Sequence, residues 1–141
     1  MEPALDIKTA SDQHEIAQAI AIDEAAVGSN ERASYIKLVA ERGDLNIAIV
    51  QNEVQAFSCL DQAYFFEKPF ISLLIVKPEM RRRGLASSLL SYDRRKFPEV
   101  WTSTNRSNAA MRALLVKTGW HYCGELDGLD EGDPEQFFKS A

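Results

Sequence analysis

The chain has 141 residues, 45% hydrophobic and 26% charged, the proportions of an ordinary globular domain with room for one substantial core. Sixteen basic against twenty-one acidic side chains leave a net charge of -5, which repels rather than attracts a nucleic-acid backbone. Cys59 and Cys123 stand apart with no CxxC or Cys/His ligand spacing, so no metal site is expected, and isolated cysteines of this kind suit a reducing compartment.

In chain order, "MEPALDIKTA" carries acids where a secretory signal requires bases, and its residues 5–10 read as a strand. Ser11 and Asp12 are positioned to cap a helix whose apolar residues Ile16, Ala19, Ile20 and Ala26 recur at helical spacing up to Gly28. "SNERASYIKLVAERGD" predicts a second helix, capped by Ser29 or Asn30, with Tyr35, Leu38 and Val39 on one face and Gly43 as its stop. "LNIAIV" and "VQAFSCLDQAYFF" flank a polar "QNE", a hairpin pattern, and "EKP" makes the following turn. "FISLLIV" at 70–76 is an apolar run of strand length, well short of the ~20 residues of a membrane span, and Pro78 ends its ladder. The cytoplasm is therefore the expected location. Leu85, Ala86, Leu89 and Leu90 predict a helix, "VWTST" a short strand, and Ala110, Met111, Leu114, Leu115 and Thr118 a helix closed by Gly119. "WHYCGEL" and "EQFF" complete the strands, so the pattern is a mixed α/β domain around one sheet, with His14 and His121 read as structural.

The stretch "VKPEMRRRGLASSLL" carries the most chemical information. Three arginines alone fit a solvated turn. Here, however, they lie between a strand stopped by Pro78 and an apolar helix opening near Gly84, where helix-start N–H groups gather into an anion site. Gly84 allows close approach of a ligand to the backbone, and Ala86 adds only a methyl. A phosphate-bearing ligand is expected there.

Arg81-Arg82-Arg83-Gly84-Leu85-Ala86 resembles the (Gln/Arg)-x-x-Gly-x-(Gly/Ala) motif of the GNAT acetyltransferases. "LLIVKP" resembles the strand that leads into that motif, and "NAAMRALLVKTGW" from Asn108 is similar to the family's second, Asn-containing motif, so the likeness covers nearly the whole chain. The resemblance implies a mixed, predominantly antiparallel central sheet with helices on both faces, one domain over residues 1–141. It implies acetyl-CoA as co-substrate, with N–H groups of Arg82, Arg83, Gly84, Leu85, Ala86 and Ser87 holding the pyrophosphate and Arg81 at the entrance. The edge of Leu74, Ile75 and Val76 would pair with the pantetheine amides. Asn108 would approach the pantetheine arm or serve as a helix cap with Ser107, and Lys117 would reach a CoA phosphate or only complement a helix dipole. The implied partners are acetyl-CoA and a small-molecule or peptide amine, with no nucleic acid and no membrane; a homodimer is compatible.

Acetyl transfer to an amine requires a base, an oxyanion donor and an acid for the departing thiolate. The expected assignments are the Val76 N–H for the oxyanion, Glu67 (or Asp61) as base, and Tyr122 (or Tyr92) as acid, because the family's usual tyrosine position, seven residues after the asparagine, is Leu115 here. That substitution also suits a CoA-binding sensor domain without efficient turnover. A basic-face nucleic-acid module using Arg81 to Arg83 and Arg94 to Lys96 is the third reading, opposed by the net charge. "ELDGLDEGDPEQ" concentrates Asp130, Glu131 and Asp133 in a loop that reads either as solvated or as an attractor for a cationic acceptor, and Tyr64, Phe65, Phe66 and Phe70 either fill the core or line the acceptor side.

Overall fold

The computed structural model describes residues 4–140; residues 1–3 and 141, which the one-domain and N-terminal expectations include, lie outside it. The chain runs β1 (Leu5–Thr9), α1 (Gln13–Val27), α2 (Ala33–Glu41), β2 (Leu45–Val50), β3 (Glu53–Phe65), β4 (Lys68–Val76), a 3-10 turn (Pro78–Met80), α3 (Leu85–Arg94), β5 (Trp101–Asn105), α4 (Ala109–Lys117), β6 (His121–Leu126) and β7 (Glu135–Lys139).

Local signals explain most boundaries. The Asp12 carboxylate accepts from the Glu15 N–H at 2.8 Å while the Glu15 carboxylate accepts from the Ser11 N–H at 2.8 Å, a reciprocal cap for α1. Gly28 closes that helix at φ 80°. The second helix departs from expectation: neither Ser29 nor Asn30 caps it, and it opens at Ala33 after Arg32, whose guanidinium grips the buried Asp23 carboxylate of α1. That ion pair joins the two helices, while the Ala33 N–H at the uncapped start of α2 bonds to the Asn30 carbonyl at 3.1 Å. Its buried face is Ile36 and Val39, whereas Leu38 is exposed.

β1 to β4 form a consecutive antiparallel meander, and the full sheet order is β1-β2-β3-β4-β5-β7-β6, with β4–β5 as the parallel pair. Gln51 and Asn52 make the first hairpin turn, both in the left-handed region. The second turn is Phe66 and Glu67, at φ 49° and 58°, rather than the expected "EKP"; Lys68 and Pro69 already belong to β4. Helices α1 and α2 pack on one face through Ile22, Ile36, Val39 and Phe57. On the other, α3 inserts Leu85 and Leu89 against Ala48 and Ala56, and α4 inserts Leu115 beside Leu60, Leu90 and Phe138. Each such side chain contributes roughly 1.5–3 kcal/mol on burial. This architecture is the mixed, mainly antiparallel sheet with helices on both faces that the sequence implied.

Candidate active site

The cradle forms where β4 passes through Pro78–Met80 into α3. Pro78 starts the 3-10 turn, whose Met80 N–H reaches the Lys77 carbonyl at 2.9 Å; Arg81 is then extended and Arg82 turns into the left-handed region at φ 65°. Gly84 caps α3 at φ 82° with no side-chain cap, and the first intrahelical bond runs from Ser88 N to Gly84 O at 2.9 Å. The N–H groups of Leu85, Ala86 and Ser87 thus have no helical partner and open on one spot. A Cβ on Gly84 would meet nothing within 4 Å, so its positive φ and not crowding demands glycine, and the space beside it is free for a ligand. Val76, Met80, Arg81, Arg82, Gly84, Leu85, Ala86 and Ser87, with Leu114 of α4, line a cavity of about 160 Å³ there. Arg83 is exposed outside that lining.

The cradle continues into a gap in the sheet. β4 and β5 are in register only at Phe70↔Trp101 and Ile71↔Thr102, where the Thr102 hydroxyl donates to the Ile71 carbonyl at 3.1 Å. Beyond Ile71 the parallel strands part. The Lys77 N–H bonds to Gln55 of β3 at 3.0 Å, and backbone groups of a strand alternate sides, so Leu74 and Val76 direct N–H and C=O into the gap. Ile75 faces β3 instead, which removes it from the three residues expected to offer free backbone groups.

A bulge marks the start of the gap. Leu73 opposes Cys59 and Ile71 opposes Leu60, leaving Ser72 unpaired between them. Ser72 and Leu73 consequently face the same side, Leu73 in the α1–α2 core and the Ser72 Oγ 2.6 Å from the Tyr35 hydroxyl of α2. Tyr35 donates to the carboxylate of Asp61, which also accepts from the Ala63 and Tyr64 N–H groups at 2.7 and 3.0 Å. Burial pushes the Asp61 carboxyl up, but the Tyr35 hydroxyl and the two N–H groups outweigh it and hold it below its ordinary value. Burial, then the Asp61 bond, pushes the Tyr35 phenol well up, so it stays protonated. From sequence Tyr35 is only a helix-face residue and Ser72 carries no role, although a serine inside "FISLLIV" is an available signal.

Other expected residues are placed differently. Glu67 is exposed at the β3–β4 hairpin tip, the opposite end of β4 from Val76, roughly 30 Å away at strand rise, which removes it as a base acting there. Tyr122 aligns through Phe138 and Thr102 with Ile71, three strands or about 14 Å from β4, and is half exposed, too distant to protonate a thiolate in the gap. Tyr92 meets Thr9 at 3.3 Å on the far side of α3. Leu115 is fully buried in the core. Asn108 caps α4 by accepting from Met111 N at 3.2 Å, and Lys117 is exposed in the last turn of that helix.

The charged segments are largely committed within the molecule. Asp133 accepts from the Ser107 hydroxyl at 2.6 Å and N–H at 3.0 Å, which hold its carboxyl below the usual range, and Asp130 accepts from Asn105 at 2.8 Å. Two of the three loop acids therefore fasten the β6–β7 connection to the β5–α4 loop. Arg94 donates to the Thr118 carbonyl at 2.6 Å and covers the Trp120 ring, and Lys96 reaches Thr9 at 3.1 Å, so a free basic face is not formed by residues 94–96. A buried network missed from sequence lies below α3: Asp93 accepts from Asn46 and Ser58, each at 2.7 Å, and burial pushes its pKa up to about 6. Among the described residues no cluster of potential metal ligands occurs, and no helix is long and apolar enough to cross a membrane.

No family model and no curated protein matches the sequence. Solved structures do. A GNAT-family acetyltransferase of Bacillus cereus is 36% identical over 97% of this chain and 96% of its own, with a TM-score of 0.91. A GNAT-family protein of Desulfovibrio desulfuricans (14% identity, 96% of this chain and 98% of that one, TM-score 0.79) and a Salmonella typhimurium protein solved with acetyl-CoA as its cofactor (16%, 96% and 92%, TM-score 0.77) share the fold. With its cradle between β4 and α3, its parted parallel strands and this degree of identity over nearly its full length, the chain belongs to the GNAT acetyltransferase family.

Proposed function

We propose that the chain transfers the acetyl group of acetyl-CoA to a primary amine. The observation that carries this reading is the convergence of the unpartnered N–H groups of Leu85, Ala86 and Ser87 with the open edge of β4. The cradle's volume of about 160 Å³ lies below the ~300–1,000 Å³ of a complete small-ligand site, which suits one anionic part of an extended molecule. The α3 N–H groups and the left-handed Arg82 and Gly84 would hold the diphosphate, and Arg81 its entrance. Leu74 and Val76 would pair with pantetheine amides as a neighbouring strand would, and a gap-facing N–H, with Val76 retained and Leu74 added, would donate to the thioester oxygen. When bound, acetyl-CoA supplies an acetyl group activated as a thioester. With Leu115 in place of an acid, thiolate departure relies on the ordinary thiol pKa of ~8.5, tolerable near neutral pH.

The buried Leu115 also favours a second reading, coenzyme binding without efficient turnover. Calorimetry of acetyl-CoA against wild type and Gly84→Asp, with thermal unfolding to verify folding, tests the site. Wild type should bind, and the folded variant should lose about a hundredfold or more because a carboxylate enters the anion nest. No wild-type binding overturns the reading. Binding without thiol release over an amine panel selects the sensor.

A further inference from the structure

We infer that Ser72 is the contact for the acceptor's ammonium group, with Tyr35 and Asp61 as positioning residues behind it, so that the acceptor is a primary alkylammonium with an apolar or aromatic arm. The inference deepens the proposed acetyl transfer and rests on it. Asp61 is 4% exposed, yet among the described residues it makes no ion pair; its partners are a phenol and two backbone N–H groups. A buried carboxylate normally has a cation close by, and here the nearby Arg42 at the end of α2 acts on it only through space, without a contact. This one lies behind the point where β4 leaves β5, and its charge is relayed outward along a directed chain.

Tyr35 has one proton and gives it to Asp61. At the 2.6 Å contact between Tyr35 and Ser72 the serine must therefore donate, which leaves the Ser72 Oγ lone pairs for an incoming N–H. The alternative use of that proton, toward the Cys59 carbonyl, is at 3.5 Å and weaker. Ser72 is the first residue past the β4–β5 ladder and two positions from Leu74, roughly 6–7 Å along the strand from a backbone N–H that faces the gap. An ammonium at Ser72 would thus sit beside the place assigned to the thioester. There it gives one proton to solvent water, the freed nitrogen lone pair attacks the carbonyl carbon as the C–S bond breaks, and the second N–H proton leaves with the departing thiolate as free thiol. Next to Tyr35, Tyr64 is 67% exposed, its ring centroid 6.4 Å from Tyr35 and stacked on Phe70 at 5.7 Å, a surface for an apolar arm with a cation near its base.

The experiment measures acetyl-CoA affinity by calorimetry and thiol release under saturating acetyl-CoA for wild type, Ser72→Ala, Tyr35→Phe and Asp61→Asn. The acceptors are 2-phenylethylamine, spermidine, glycinamide and lysine amide, with neutral 2-phenylethanol as a competitor. Expected are turnover with 2-phenylethylamine, KM raised about tenfold or more in each variant with a smaller change in kcat, unchanged acetyl-CoA affinity, and no competition by the alcohol. Tyr35→Phe keeps the ring and its packing, so a KM effect there reports the hydrogen bond rather than folding. KM unaltered in folded Tyr35→Phe and Ser72→Ala, alcohol competing as well as amine, or acetyl-CoA binding with none of the four amines acetylated would each overturn the inference while leaving the coenzyme site standing. Loss of acetyl-CoA binding by wild type removes both.

Discussion

At Asp93, burial works against charge. The residue is fully buried under α3 and accepts from Asn46 and Ser58, but desolvation dominates and its pKa is pushed up to about 6. An acid whose folded pKa exceeds its unfolded value of ~3.9 binds more protons when folded, so its contribution to stability is full below pH ~4 and falls as pH rises toward 6. The loss is on the order of 3 kcal/mol. Urea unfolding of wild type and Asp93→Asn at pH 4.5 and 7 should show the variant's stability rising relative to wild type at the higher pH; a constant difference would contradict the buried-charge account. Taking the difference cancels the acids held low, Asp61 and Asp133, whose stabilisation runs the other way and is lost on acidification. Asp93 was invisible in sequence because "SYDRRK" reads as the polar end of a helix, and only the approach of β2 and β3 reveals that this position points inward. Gly84 was legible because a glycine between a basic turn and an apolar helix has a local backbone reason to be there.

Two elements carry separate tests. Asn108 caps α4, so Asn108→Ala should cost about 1 kcal/mol in chemical unfolding. If acetyl-CoA affinity falls as well, Asn108 also touches the pantetheine arm; unchanged affinity leaves it as a cap alone. In the β3–β4 hairpin, Glu67 holds φ 58° with a side chain that disfavours the left-handed region by roughly 1–2 kcal/mol. Glu67→Gly should therefore stabilise the protein by about 1 kcal/mol and leave acetyl transfer unchanged, whereas a fall in kcat would reinstate Glu67 as the base. The turn itself was misread because "EKP" has the composition of a turn, but the pairing of Phe65 with Lys68 leaves only Phe66 and Glu67 to make it. Caps and glycine stops were local and readable; the start of α2 was not, because no side chain caps it and it is anchored instead by the ion pair of Arg32 with the buried Asp23 of α1.

The whole molecule is arranged around the parting of β4 and β5. If acetyl-CoA fills that gap, amide exchange at Leu74 and Val76 should slow on its addition while Ile75, already bonded toward β3, changes least. At a ligand concentration of 100 times Kd the protein should gain about 2.7 kcal/mol, read as a rise in Tm. Protection spread evenly over β1 to β7 would indicate general tightening and not a ligand lying along β4. The sequence by itself determined the kinds and order of elements, the Pro78 stop, the basic turn and the Gly84 helix start, because these depend on propensity, capping and periodicity within a few residues. Only the tertiary structure decided that β7 lies between β5 and β6, that Ser72 is displaced by a bulge toward Tyr35 and Asp61, that Asp130 and Asp133 are tied to the β5–α4 loop, and that Glu67 and Tyr122 are far from Val76. Those facts follow from strand register and long-range pairing, which place residues distant in sequence side by side and which no local pattern encodes.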